Sequence, residues 1–181
     1  LAELAERAGR VIDTALYQSG LYDENRQRAE EHLAALPGSP LAAQWAGEAE
    51  RYAVGPTPRA RELLHAAFRG LVELHGTDKH LDVATSLHAL GSMLQAQGDL
   101  AGARATLTRS LAIQTEVHGT VKHLDVAMSL QVLGDVLRAQ GDLSGARVAL
   151  EQSLAIQADV YGADKHPSGA ASLDTRGGVL Q

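Results

Sequence analysis

A 43-residue unit repeats without a gap. Residues 76–118 and 119–161 are identical at 28 of 43 positions, and a third copy opens at Gly162 (GADKHPSGAASLDTRGGVLQ) and runs about half a unit to Gln181. A fixed period of this length demands stacked copies of one supersecondary unit, because no single copy can bury its own apolar face. The unit itself reads as two helices. Val83, Leu87, Leu90 and Leu94 recur at helical spacing, with Asp82 in the first turn, where negative charge favours a helix N-terminus. Gly98 is placed to end this helix in a left-handed conformation, and Asp99 follows as the cap of the next. The second helix carries Leu100, Ala103, Leu107, Leu111 and Val117 along one side, matched in the next copy by Leu143, Ala146, Leu150, Leu154 and Val160. Small residues at Gly91, Ala103, Gly134 and Ala146 allow two backbones to approach closely.

Weaker copies precede these. Gly55–His75 aligns with Gly98–His118, sharing Gly55, Ala60, Arg61, Leu64, Glu73 and His75, with Phe68 in place of Leu111. Gly20–Arg26 reads as another turn between helices, and all five prolines (37, 40, 56, 58 and 167) fall in connectors or first turns. The pattern predicts nine helices, at 1–19, 22–36, 40–54, 57–75, 81–97, 100–118, 124–140, 143–161 and 167–181. One array then spans 1–181: divergent repeats at 1–36 and 40–75, repeats at 81–118 and 124–161, and the first helix of an incomplete repeat at 167–181. The fold class expected is all-α, an α-solenoid of stacked antiparallel hairpins. Aromatics amount to only 3 % of the 181 residues, which leaves Leu, Ala, Val and Ile to build close helix-on-helix cores.

Composition removes several functions. The absence of cysteine rules out disulfides, thiolate metal sites and a Cys nucleophile. A net charge of -6 argues against a nucleic-acid partner, which would call for a basic face. No apolar run reaches the ~20 residues of a membrane span, and Leu1–Glu6 is not a secretory signal, so the expected location is cytoplasmic. The chain begins at Leu1 rather than Met, from which a piece of a larger protein is expected. There is no P-loop, Gly177-Gly178 is no phosphate cradle, and no nucleophile elbow is present, so no catalytic residue, cofactor or enzymatic activity is expected. His75, His80, His118, His123 and His166 recur with the repeat around its connector loop. Five-residue intervals across a loop define no helix face, so these histidines read as connector or cap residues and no metal is expected.

The units resemble the tetratricopeptide repeat family. Its pattern of Leu, Gly, large apolar, Gly, Ala and large apolar is present as Leu90, Gly91, Leu94, Gly98, Ala103 and Leu107, and again as Leu133, Gly134, Leu137, Gly141, Ala146 and Leu150. The 43-residue spacing, with His-Leu-Asp-Val-Ala-Thr-Ser-Leu at 80–87, is similar to the longer kinesin-light-chain type. The resemblance implies a right-handed superhelix whose first helices line an inner groove for a protein or peptide. It also implies a setting common to such repeats, the interaction or recognition segment of a larger bacterial signalling protein; a free-standing adaptor or homo-oligomerisation module is the alternative, with an enzyme as the last reading kept. On the family's groove positions stand Thr85, His88, Ala89, Ser92 and Gln95, then Met128, Gln131, Val132, Asp135 and Arg138, then Asp174 and Thr175. The Asn–Asn pair of the kinesin type is replaced by His88-Ala89, Gln131-Val132 and Asp174-Thr175, which argues against a kinesin-style cargo groove. All five matched groove pairs differ between the two full copies, whereas the core is copied. Such variation on a constant frame is what a groove specialised for one ligand shows, and its Met, Val, His and Gln suit apolar and amide contacts with a peptide. At the other end, Leu173, Val179 and Leu180 have no second helix to cover them, so either the chain continues past 181 or this end self-associates.

Overall fold

A computed structural model describes residues 21–161. It holds seven α-helices: α1 (Tyr22–Ala35), α2 (Pro40–Ala53), α3 (Pro58–His75), α4 (Leu81–Ala96), α5 (Leu100–His118), α6 (Leu124–Ala139) and α7 (Leu143–Tyr161). Seven therefore stand where nine were expected for the whole chain, and the expected helices at 1–19 and 167–181 lie outside the described residues. The described residues contain no strand.

Local chemistry sets the boundaries. Ser39 Oγ accepts a hydrogen bond from the Ala42 N–H at 3.2 Å, and Thr57 Oγ1 accepts one from Ala60 at 3.0 Å. Pro40 and Pro58 follow at the first helical position, where a missing N–H costs nothing. Asp99 and Asp142 cap α5 and α7, each accepting an N–H at 2.9 Å, from Gly102 and Gly145 respectively. Gly98 and Gly141 take φ of 81° and 83°, the left-handed conformation that lets the chain reverse between paired helices.

Two compact units result, one ending at Asp78 and the other starting at Lys79. In the first, α2 packs on both α1 and α3. Its core gathers Ala29, Trp45, Ala46 and Ala49, and the Trp45 indole N–H donates to Asn25 Oδ1 at 3.1 Å, so a fully buried amide is satisfied. In the second unit α4 packs on α5, α5 on α6 and α6 on α7.

One contact recurs in all three described hairpins. A glycine of the first helix faces a fully buried leucine of the second: Gly47 meets Leu64, Gly91 meets Leu107, and Gly134 meets Leu150. A methyl group placed on these glycines would lie 2.9, 2.6 and 2.8 Å from the leucine Cγ, closer than packed carbons tolerate. A buried hydroxyl adds a polar tie in the second unit, where Ser110 Oγ donates to the Ala84 carbonyl and Ser153 Oγ to the Ala127 carbonyl, both at 2.7 Å.

The expected stripe along the second helices is only partly core. Ala103, Leu107, Ala146 and Leu150 are buried and Leu111 and Leu154 half-buried, but Val117, Leu143 and Val160 are exposed. At 19 residues, α5 and α7 outrun their 16-residue partners, so Val117 and Val160 lie in a final turn beyond the paired helix. Leu143 stands in the first turn, at the edge of the packed face.

Two measurements check this account. Gly134→Val should cost about 1–3 kcal/mol by overpacking, and Leu150→Ala about 2–5 kcal/mol. In urea titrations, Gly134→Ala combined with Leu150→Ala should lose less than the sum of the two, because the added methyl enters the vacated space. Second, the Gly145 N–H and the Ser144 hydroxyl hold the Asp142 carboxyl below the usual aspartate range. A depressed folded-state value adds stability above the ordinary aspartate pKa, and that stability is lost as pH falls through the folded value. The acid limb of the melting curve should therefore be shallower in Asp142→Asn.

Candidate functional site

Ten of the twelve groove residues expected from the sequence sit in the second unit on α4 and α6. Three of them converge. Thr85 and His88 from α4 and Met128 from α6 border a small concavity of about 60 Å³ together with Gln114 of α5 and Asp125 of α6. Met128 is 55 % exposed and offers an apolar surface at the rim. His88 Nδ1 and the Ser129 hydroxyl, which is fully buried, share a hydrogen bond at 3.0 Å that ties α4 to α6. Thr85 Oγ1 turns back to donate to the Leu81 carbonyl at 2.9 Å, leaving its methyl for contact.

Gln114 and Asp125 were not among the residues expected. Gln114 is 3 % exposed, and its Oε1 is buried with no hydrogen-bond partner among the described residues. A desolvated carbonyl of this kind costs about 1–3 kcal/mol until a donor reaches it. The signal was faint in the sequence: the repeat carries Gln114 and Gln157 at matched positions in Leu-Ala-Ile-Gln, and an amide on a second helix reads as a solvent residue. Gln157 is settled differently, since its Nε2 donates to Ser153 Oγ at 3.1 Å.

The other expected residues do not join this cluster. Ala89 is buried, and Val132 packs with Leu94, Leu100 and Leu133 against Ala103, Leu107 and Val136. Ser92, Gln95 and Gln131 are half-buried on the same two helices. Asp135 and Arg138 pair with each other one turn apart on α6 at 3.1 Å. Asp174 and Thr175 lie outside the described residues.

A larger concavity of about 330 Å³ opens between α5, α6 and α7, walled by Leu111, Val126, Leu130 and Ile156. At its edge Lys122 Nζ and Asp159 Oδ2 are 2.8 Å apart, and this hydrogen bond and the carboxylate charge hold the ammonium pKa above the usual lysine value. It presents apolar volume, whereas the smaller site presents directional polar groups, which are what fix a ligand's orientation.

If the Gln114 carbonyl waits for a donor from outside the chain, Gln114→Met should leave the Tm of the protein unchanged or raise it, while weakening any ligand held there. A fall in Tm of the size seen for a core deletion would show that the amide is satisfied internally.

The comparisons agree with this architecture. A family model for the tetratricopeptide repeat matches residues 41–116 and 82–159. Among solved structures, one described as a Podosopora anserina kinesin light chain with nearly identical TPR-like repeats is 23 % identical, with a TM-score of 0.71 over 97 % of this chain and 85 % of that one. A variant of that same protein gives a TM-score of 0.72 at 23 % identity, over 97 % and 84 % of the two chains. The MamA protein gives 0.53 at 17 % identity, over 97 % and 86 %. At these identities the structures speak to the fold alone. A search of curated proteins finds no match. Glycine–leucine hairpins that recur along the chain, together with a family match over more than half its length, show that the chain belongs to the tetratricopeptide repeat family.

Proposed function

We propose that this chain is a non-enzymatic scaffold that binds a protein or peptide segment across α4 and α6, in the concavity formed by Thr85, His88, Gln114, Asp125 and Met128. The observation that carries the reading is the buried Gln114 carbonyl, unpartnered among the described residues, beside an exposed methionine. Gln114 lines this concavity with its Oε1 closed off from solvent, so a shift of its amide would offer an acceptor to a backbone or side-chain N–H of a peptide, and the Met128 thioether and the Thr85 methyl supply adaptable apolar contact. The surroundings carry one carboxylate, Asp125, and no cluster of arginines, so an extended segment with an apolar anchor fits better than an acidic tail. The reading includes the stacking of hairpins into the right-handed superhelix expected from the sequence. It also includes placement as the recognition segment of a larger cytoplasmic, bacterial signalling protein, with a free-standing adaptor as the alternative. No described helix is long and apolar enough to cross a membrane.

The test uses peptides selected from a random display library against the wild-type chain. Met128→Glu should weaken the selected peptides at least about tenfold, equivalent to about 1.4 kcal/mol, with little change in Tm because the side chain is exposed. Adding Gln131→Glu should weaken them further if the site extends along α6. Peptides that bind both variants as well as the wild type would move the interaction surface away from these helices.

A further inference from the structure

The connector between α5 and α6 does more than join them. His118 ends α5, Gly119 turns in the left-handed conformation at φ 64°, and the chain returns so that His123 caps α6, its Nδ1 accepting the Asp125 N–H at 3.3 Å. This turn brings together what sequence spacing kept apart. The imidazoles of His118 and His123 are stacked, with centroids 3.5 Å apart and planes 16° apart. Asp125 Oδ2 lies 3.2 Å from His118 Nε2 and 3.4 Å from His123 Nδ1. All three donor atoms fall within 4.8 Å of one another.

The two nitrogen–oxygen separations are close to the edge length of a coordination polyhedron. Ligands bound to a tetrahedral zinc at about 2.1 Å stand about 3.4 Å from each other. Two imidazole nitrogens and one carboxylate oxygen form a donor set suited to Zn²⁺, Co²⁺ or Ni²⁺, and poorly suited to Mg²⁺ or Ca²⁺, which take oxygens. We propose that His118, His123 and Asp125 form a divalent transition-metal site with its fourth position open to water or to a ligand group. Nearly parallel rings cannot both aim a lone pair at one ion, so binding requires one ring to turn. His118 is held, with only 13 % of its side chain exposed, whereas the His123 side chain is 43 % exposed and is the one to turn, giving up the Asp125 N–H that its Nδ1 accepts. The sequence carries the same His-x4-His-x-Asp pattern at His75, His80 and Asp82, whereas the third copy has Tyr161 and Ser168 in place of two of the donors. Asp125 also borders the concavity of the proposed function, but the metal site stands on its own donors and does not rest on that reading.

The experiment uses the full chain with His75→Gln, so that the upstream copy of the pattern does not titrate, and Zn²⁺ alone as the probe. Calorimetry should show one saturable site. In NMR spectra the ring signals of His118 and His123 should shift with the same saturation, and Co²⁺ in place of Zn²⁺ should give the visible absorption of a four-coordinate ion. Adding His118→Gln or Asp125→Asn should weaken binding more than about tenfold, with helical circular dichroism unchanged. Zinc that fails to saturate, or that leaves both ring signals unmoved, would overturn the site whatever the variants do. Undiminished binding by a folded His118→Gln chain would overturn it as well.

Discussion

The contact between a glycine of one helix and a leucine of its partner governs this structure. Gly47 with Leu64, Gly91 with Leu107 and Gly134 with Leu150 are three instances of one solution to packing with few aromatics. A core made of leucine and alanine gains enough dispersion and apolar burial only if the helices come close, and the absent Cβ permits that approach. The recurrence in α2–α3 is informative, because that hairpin shares little sequence with the later copies. Its loop, its caps and even its large core residue, Trp45, differ, yet the glycine–leucine contact persists.

With the glycine–leucine contact fixed in this way, most of the variation between the two copies falls outside the hairpin interior, the buried pair Met93 and Val136 being an exception. His88 and Gln131, Thr85 and Met128, and Ser92 and Asp135 are matched positions on one frame, and they differ where the core does not. The constant serines serve the frame: Ser110 and Ser153 bind first-helix carbonyls, and Ser129 meets His88 across adjacent first helices. The repeat thus separates two tasks. Buried glycine, leucine and serine set the spacing of helices, and the residues between them set what the surface can recognise. Gln114 sits on the border between the tasks, buried like the frame but with a carbonyl the described frame does not satisfy.

The connector shows how a short loop can bring together side chains that neither flanking helix holds together. A left-handed glycine and a histidine cap are ordinary devices for ending and starting helices. Used in succession within a few residues, they fold the last ring of α5 onto the first residues of α6 and place a carboxylate oxygen beside both rings.

Much of the fold was legible in the residues themselves. Period, caps, prolines and apolar spacing placed each described helix to within one residue of its observed ends, because these signals act within a turn or two of the chain. The roles of His80 and His123 as caps were legible for the same reason, as was the close approach at Gly91 and Gly134. Three matters belonged to the tertiary structure alone. The exposure of Val117 and Val160 follows from unequal helix lengths within a pair, the convergence of Thr85, His88 and Met128 on Gln114 needs three helices in register, and the meeting of His118, His123 and Asp125 needs the loop to close. Local hydrogen bonding and periodicity decide where a helix begins and ends, so the sequence determined the elements and their pairing. Distances between side chains on different elements depend on how those elements pack, and packing is a property of the whole assembly of contacts.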